Sequence, residues 1–255
     1  EAKMINNDII DISTLRRVVN ESKELGVHTI TLSGGEPLTH PDIKEIIFHA
    51  SNSSMHVRMY SCGVLASDYE LSSIDMGTFN TLKESGLETL IFSLHGTPEV
   101  HDYITGVEGS FKLVIDSIRN ANQIGINIEI HMVPMKVNYR DIVFVLNEAD
   151  NLNVNRVSLL RYVPQGRLRY NPHLEMSKDE HVELLNIISS IDTSKVRLGA
   201  PYSCLLTERY NTCSAGKNKI LIGPNGDVYP CEAFKSALKN KTSNIYKASL
   251  IDIWE

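Results

Sequence analysis

Residues 29–38 read Thr-Ile-Thr-Leu-Ser-Gly-Gly-Glu-Pro-Leu, a β-branched run that stops at two glycines, a carboxylate and a proline. The run of Thr and Ile predicts a buried β-strand. Gly34 and Gly35 permit a sharp turn and a close approach to a ligand, and Pro37 prevents further strand pairing. Glu36 is therefore expected just past the carboxyl end of a strand, where α/β proteins bind ligands. The alternative is an ordinary turn with a solvated glutamate.

The composition limits the classes of protein to consider. With 255 residues, 42% hydrophobic and 22% charged, the chain is expected to form one large α/β domain plus a small appendage. A net charge of −6 gives no electrostatic case for nucleic acid, and no apolar run is long enough to span a membrane. Four cysteines do not form a disulfide scaffold, so we expect a cytoplasmic protein whose cysteines are buried or metal-bound.

Helical and strand patterns alternate along the chain, which favours βαβ units and a parallel sheet, either open or closed as a barrel. The helices are predicted at 11–26, from 40 through 47, and at 76–85, 110–125, 139–152 and 177–191. The strands are predicted at 27–32, 55–60, 90–94, 126–134 and 154–162. A change of composition near Gly199 predicts two domains, 1–198 and 199–255, and Asn225-Gly226 predicts a hairpin in the second.

Polar residues and glycines follow every predicted strand, and in a parallel sheet these ends share one edge. They are Ser33 to Glu36, Ser61-Cys62-Gly63, Ser93 to Gly96, His131 to Asn138, and Arg161 to Arg167. Their convergence predicts a ligand site at that edge. Each serine or glycine taken singly is also explained as part of an ordinary turn. The alternative for His95 and His131 is a ring that bonds to the backbone, and the alternative for Cys62 is that its thiol is buried and inert.

The second constellation is Cys213-x12-Gly226-x4-Cys231, with Cys204 nine residues before Cys213. Thiolates near both ends of a hairpin suit a zinc ion or an iron–sulfur cluster. The alternative is a set of unrelated buried cysteines.

Both constellations resemble motifs of one family. Gly34-Gly35-Glu36-Pro37 is similar to the GGEP motif of radical S-adenosylmethionine (radical SAM) enzymes, and the segment from Cys213 to Cys231 resembles the opening of their SPASM/Twitch domain. The resemblance implies a partial (β/α)6 TIM-like barrel over 1–198 and an auxiliary iron–sulfur domain over 199–255. The segment 249–254 is similar to the helix that follows.

The resemblance also implies roles for particular residues. Gly34, Gly35, Glu36 and Pro37 would hold the amino group of SAM. Ser61, Ser93, Val133, Leu160 and Arg161 fall where later strands line that cofactor, and Cys204, Cys213 and Cys231 would bind an auxiliary [4Fe–4S] cluster.

The chain departs from the family pattern in two respects. The C-x3-C-x2-C motif that holds the catalytic [4Fe–4S] cluster is absent, as is an initiator Met, so we expect that motif upstream of Glu1. Without it, this stretch alone is expected to be inactive. The later SPASM cysteines are also absent, so the sequence leaves open whether the protein binds one or two auxiliary clusters.

The chemistry implied by the resemblance is reductive cleavage of SAM to methionine and a 5′-deoxyadenosyl radical that abstracts hydrogen from a substrate. A peptide or protein substrate is favoured, with flavodoxin or ferredoxin as electron donor and neither nucleic acid nor membrane as partner. The alternatives are a small-molecule or cofactor-biosynthesis enzyme of Twitch type, a binding barrel without its catalytic cluster, and an ordinary α/β enzyme with a structural zinc tail.

Overall fold

The computed structural model describes residues 9–67, 70–199, 202, 205, 213–235, 237–238 and 241–255. The helices in these residues are α1 (Ile12–Glu24), α2 (Ile43–Asn52), α3 (Met76–Glu84), α4 (Pro98–Thr105), α5 (Ser110–Ile124), α6 (Ile142–Asn151), α7 (Lys178–Ser190) and α8 (Leu250–Trp254). The strands are β1 (Thr29–Leu32), β2 (His56–Ser61), β3 (Val64–Ser67), β4 (Glu70–Ser73), β5 (Leu87–Ser93), β6 (Asn127–Met132), β7 (Arg156–Leu159), β8 (Val196–Leu198), β9 (Leu221–Ile222) and β10 (Val228–Tyr229).

Six of these strands form one sheet, in the order β1-β2-β5-β6-β7-β8. The pairs β1 with β2, β5 with β6, β6 with β7, and β7 with β8 are all parallel. Consecutive strands of the sheet are joined through helices, as the alternating pattern predicts. The predicted fold class, α/β with a parallel sheet and a small C-terminal hairpin, is confirmed.

The chain divides into two compact units. The first contains the described residues of Glu1–Tyr60, Thr81–Glu88 and Cys213–Glu255, and the second contains those of Ser61–Asn80 and Thr89–Thr212. The predicted domain boundary near residue 199 stays a prediction.

In the first unit, α1 packs against the C-terminal residues. Val18 of α1 forms an apolar cluster with Val228, Ile245 and Leu250. The Arg17 guanidinium donates to the Ile245 carbonyl at 2.5 Å, and the Leu250 amide donates to the Glu21 carboxylate at 2.5 Å. Helix α1 therefore shares its buried surface with residues from the far end of the chain.

The hairpin of β9 and β10 explains the position of one glycine. Ile222 pairs with Val228 in antiparallel register, which confirms the predicted hairpin. Gly226 has a φ of +83°, and a Cβ there would lie 2.6 Å from the ring of Tyr246. Only glycine fits this position, because both the backbone conformation and the space exclude a side chain.

In the second unit, one face of the sheet is fully apolar. Ile128, Ile130 and Met132 of β6 alternate along the strand and are inaccessible to solvent, as are Phe92 of β5 and Leu159 of β7. The intervening positions point to the opposite face, because side chains alternate along a strand. That opposite face carries the polar residues described below.

The structure differs from the sequence predictions in several elements. Strand β1 is half-buried rather than buried, with Thr29 and Thr31 exposed, because it lies at the edge of the described sheet. The β3–β4 hairpin, α4 and β8 were not predicted, although Thr97 before Pro98 is a typical helix start. No helix in the described residues has the length and apolarity to cross a bilayer.

Candidate functional site

The GGEP loop (Gly34, Gly35, Glu36 and Pro37) directly follows β1 and exposes its backbone. Gly34 and Gly35 are both exposed, and no atom lies within 4 Å of where a Cβ of either residue would be. Gly34 has a φ of +149°, which side-chain-bearing residues rarely adopt. The two glycines thus leave an open stretch of backbone that another molecule can approach closely.

Glu36 is held at the start of a helical turn. It is the N-cap of a 3₁₀ turn, Pro37–Thr39, and its carboxylate accepts from the Leu38 amide at 3.3 Å. The Thr39 hydroxyl donates to the Glu36 carbonyl at 2.7 Å. Pro37 is buried, which anchors the loop while Glu36 stays half-buried. A partly exposed carboxylate beside open backbone can accept hydrogen bonds from a cationic ligand.

In the second unit, three polar side chains form a row across neighbouring strands. Ser93 of β5 pairs with His131 of β6, and His131 pairs with Ser158 of β7. We call Ser93, His131 and Ser158 the strand-end row. Past it, the Leu160 amide donates to the Met132 carbonyl at 2.9 Å, which brings the predicted site residues Ser93 and Leu160 to one sheet edge.

Three histidines gather at this edge and are held neutral. The His95 and His101 rings are stacked with centroids 5.7 Å apart, and the His95 amide donates to His101 Nδ1 at 3.2 Å. Burial lowers the pKa of His95 to about 3, assisted by His101 and His131, and burial lowers the pKa of His101 and of His131 to about 4. Uncharged imidazoles can donate or accept hydrogen bonds but contribute no positive charge at neutral pH.

Asn138 ties two strand-end loops together. Its side chain is almost inaccessible, with Nδ2 donating to the carbonyls of His95 at 2.8 Å and Val133 at 3.1 Å. Its Oδ1 accepts from the Met135 amide at 2.6 Å. With these contacts the amide holds backbone from both loops, so Asn138 positions His95 and Val133.

The other predicted cofactor residues differ in how far they are exposed to solvent. Ser61 is buried, and its hydroxyl accepts from the Gly63 amide at 3.0 Å, as expected for turn chemistry. Arg161 is exposed and lines a cavity of about 210 Å³ with Glu175 and Tyr202. Cys62 is exposed, so the expectation of a buried thiol is wrong: its strand has already ended, and its Sγ donates to the Val64 carbonyl.

Two cysteines of the second constellation, Cys213 and Cys231, lie in the first unit. Cys213 is exposed and Cys231 is half-buried. Their segments come together, because a Cβ at Gly216 would touch Pro230 at 3.4 Å. Cys204 lies outside the described residues. Among the residues that are described, no group of three or more His, Cys, Asp or Glu side chains is placed to hold a metal ion.

Family models match most of this architecture. The model of the radical SAM superfamily matches residues 3–149, more than half of the chain. The chain belongs to the radical SAM superfamily. The model of the SPASM iron–sulfur cluster-binding domain matches residues 213–255. These two domains imply SAM and [4Fe–4S] clusters as cofactors.

Individual relatives are more distant. The PqqA peptide cyclase of Granulibacter bethesdensis is 23% identical over 93% of this chain and 63% of its own length, and the Fe-coproporphyrin III synthase of Methanosarcina barkeri is 24% identical over 76% and 47%. The chain thus spans less than two thirds of either relative.

Among solved structures, SuiB of Streptococcus suis was crystallised with S-adenosylmethionine and with its precursor peptide SuiA. The SAM-bound crystal superposes with a TM-score of 0.74 and 20% identity over 95% of this chain and 58% of that one. The peptide-bound crystal gives 0.74 and 19% over 95% and 57%. At this identity the likeness shows the fold alone.

Sequence reasoning missed two residues of the second unit's site, His101 and Ser158. His101 is hidden in a helix, and only its spacing from His95 hints at stacking. Ser158 stands alone between apolar residues of a strand, a detectable but weak signal. Asn138 ends the predicted strand-end stretch from His131, and its amide is bonded to backbone on both sides.

Proposed function

We propose that this protein modifies a peptide by radical SAM chemistry. The observation that carries the proposal is the GGEP loop, whose open backbone and adjoining carboxylate follow the first strand of the described sheet. The peptide substrate is supported by the relatives, since PqqA peptide cyclase and SuiB both take peptides by name. When bound to a reduced cluster, SAM supplies a 5′-deoxyadenosyl radical that abstracts hydrogen.

The GGEP loop fits the amino-acid end of SAM. Backbone groups of Gly34 and Gly35 are open to a ligand, and the Glu36 carboxylate would accept from the ammonium group. Pro37 keeps the loop from rejoining a strand. These residues would therefore bind and orient the cofactor.

The remaining cofactor contacts belong to the second unit. Ser93 ends β5, Val133 follows β6 and Leu160 follows β7, and these residues would line the ribose and adenine region. Ser61 and Arg161 complete the proposed set. Because Ser61 already bonds to the Gly63 amide, it would shape the backbone there as well as meet the cofactor.

The Glu36 assignment can be tested on the full-length protein by SAM affinity and by 5′-deoxyadenosine formation under dithionite. Glu36→Ala should weaken SAM binding at least about tenfold, because a charge-assisted hydrogen bond is lost. Glu36→Gln should retain part of the affinity, and Glu24→Ala, an exposed change on α1, should retain all of it. An unchanged dissociation constant for Glu36→Ala would overturn the assignment.

We propose that Cys204, Cys213 and Cys231 bind an auxiliary [4Fe–4S] cluster. The support is the SPASM match together with the converging segments of Cys213 and Cys231. Replacing both Cys213 and Cys231 by Ala should remove about four iron atoms per chain, and Cys62→Ala should remove none. Iron and sulfide quantitation with electron paramagnetic resonance measures this; zinc without iron would contradict the cluster.

We further propose a cytoplasmic setting with flavodoxin or ferredoxin as electron donor, which suits thiolate-bound clusters kept away from oxidation. A second candidate substrate class is a small molecule such as a porphyrin, favoured by the similarity to Fe-coproporphyrin III synthase. Acceleration of SAM cleavage by a peptide rather than by a porphyrin would decide between the two.

A further inference from the structure

Ser158 has a buried hydroxyl that the fold does not satisfy. It lies in β7 between Val157 and Leu159, is only 4% exposed, and its Oγ has no hydrogen-bond partner among the described residues. A buried hydroxyl left unpaired costs free energy, so such groups normally find a partner. The partner of Ser158 is therefore expected to come from a water or a ligand.

The strand pairing places other polar groups next to this hydroxyl. His131 is the direct neighbour of Ser158 on β6, and Ser93 is the next neighbour on β5. These three positions share one sheet face, opposite to the apolar positions Phe92 and Ile130. Ser158 is thus one end of a polar row rather than an isolated serine in a core.

His95 adds a second unsatisfied atom at the same edge. Its Nδ1 is buried and has no hydrogen-bond partner among the residues that the structure describes. The residue lies just past β5, its carbonyl is fixed by Asn138, and its ring interacts electrostatically with His131. A ring nitrogen and a hydroxyl together offer both donor and acceptor capacity.

The charges around the row favour an uncharged ligand. The histidines are neutral, because burial lowers the pKa of His131 to about 4 and of His95 to about 3. Glu129, which precedes His131 on the same face, is 3.6 Å from Arg156. Arg197 pairs with Ser158 from β8 but is exposed, so solvent screens its charge.

We propose that Ser158, His131 and His95 form a subsite that binds an uncharged amide group of the substrate. An amide presents one N–H and one C=O, which match a hydroxyl and imidazole nitrogens. This inference rests on the proposed function, because the amide is taken to belong to a peptide substrate. Ser93, Val133 and Leu160, which are assigned to SAM, lie at the same sheet edge, so the subsite would place the amide beside the cofactor.

The test uses the full-length protein with SAM bound and its cluster oxidised. N-acetylglycinamide serves as the uncharged amide probe, with acetate and methylammonium as charged comparisons, and imidazole nitrogen resonances of His95 and His131 report binding by NMR. Ser158→Thr and Ser158→Val are a matched pair, since both add the same bulk and only threonine keeps the hydroxyl.

The amide should shift both histidine resonances in the wild type and in Ser158→Thr, and bind at least about tenfold more weakly to Ser158→Val. SAM affinity should stay within about twofold in all three proteins. Equal binding to the two variants, tighter binding of either charged probe, or no shift at all would overturn the subsite. Loss of the proposed function would appear separately, as absent SAM binding by the wild type.

Discussion

The GGEP loop and the strand-end row are built in opposite ways. The loop is four consecutive residues, two of them exposed glycines, and it offers mainly backbone. The row takes one side chain from each of three strands, and Ser158 in it is buried. The first region therefore presents mainly backbone to a ligand, whereas side chains define the second.

The difference predicts which substitutions each region tolerates. The two glycines of the loop, which work through their backbone, should respond to changes of conformation, and in this loop only Glu36 should respond to changes of side-chain polarity. A row made of half-buried and buried side chains should respond to changes of polarity and protonation. Three experiments test this contrast, beginning with the largest expected effect.

Acid should destabilise the second unit through its neutral histidines. The pKa values of His95, His101 and His131 lie at about 3, 4 and 4, below the ordinary value of 6.5. Below pH 6.5 the unfolded chain binds more protons than the folded one, so stability falls as the pH drops. Between pH 7 and 5 the loss should be about 5 kcal/mol for the three residues together.

Urea unfolding at a series of pH values measures this loss. The double variant His95→Asn and His131→Asn should show a shallower dependence, since only His101 still resists protonation. A slope equal to that of the wild type would mean that these histidines are not held neutral by burial, and the contrast between the regions would weaken.

Removing the Asn138 amide should cost less than acidification but more than a typical surface change. Asn138→Ala leaves the His95 and Val133 carbonyls and the Met135 amide without their shared partner, so the free energy of unfolding should fall by about 3 kcal/mol. Asn120→Ala is the control, because its amide makes one bond, to the Ile74 carbonyl, and should cost about 1 kcal/mol. Similar losses in the two variants would show that Asn138 does not tie the loops.

The smallest effect is expected in the GGEP loop. Gly34→Ala meets no atom but must adopt a φ of +149°, so it should cost about 1–2 kcal/mol. Gly35→Ala has the same open space without the positive φ and should leave stability unchanged. Chemical denaturation compares the two; equal losses would mean that backbone conformation does not control the loop.

Features that depend on neighbouring residues, such as helix starts and tight turns, were predicted from the sequence. The helix predicted from residue 177 begins there, because Ser177 and Glu180 form a capping box at the start of α7. The turn at Gly226 predicted the hairpin. The strand-end row could not be predicted, because which residue faces His131 depends on strand register, a long-range property. The exposure of Cys62 depends likewise on the hairpin that follows it.

The contact between α1 and the C-terminal residues also constrains the order of folding. Arg17 and Glu21 bond to Ile245 and Leu250, more than two hundred residues later. During synthesis from the N-terminus, Val18 must wait with its apolar surface uncovered until nearly the whole of this stretch has left the ribosome. We therefore expect chaperones to bind early nascent chains, and α1 to dock slowly and late.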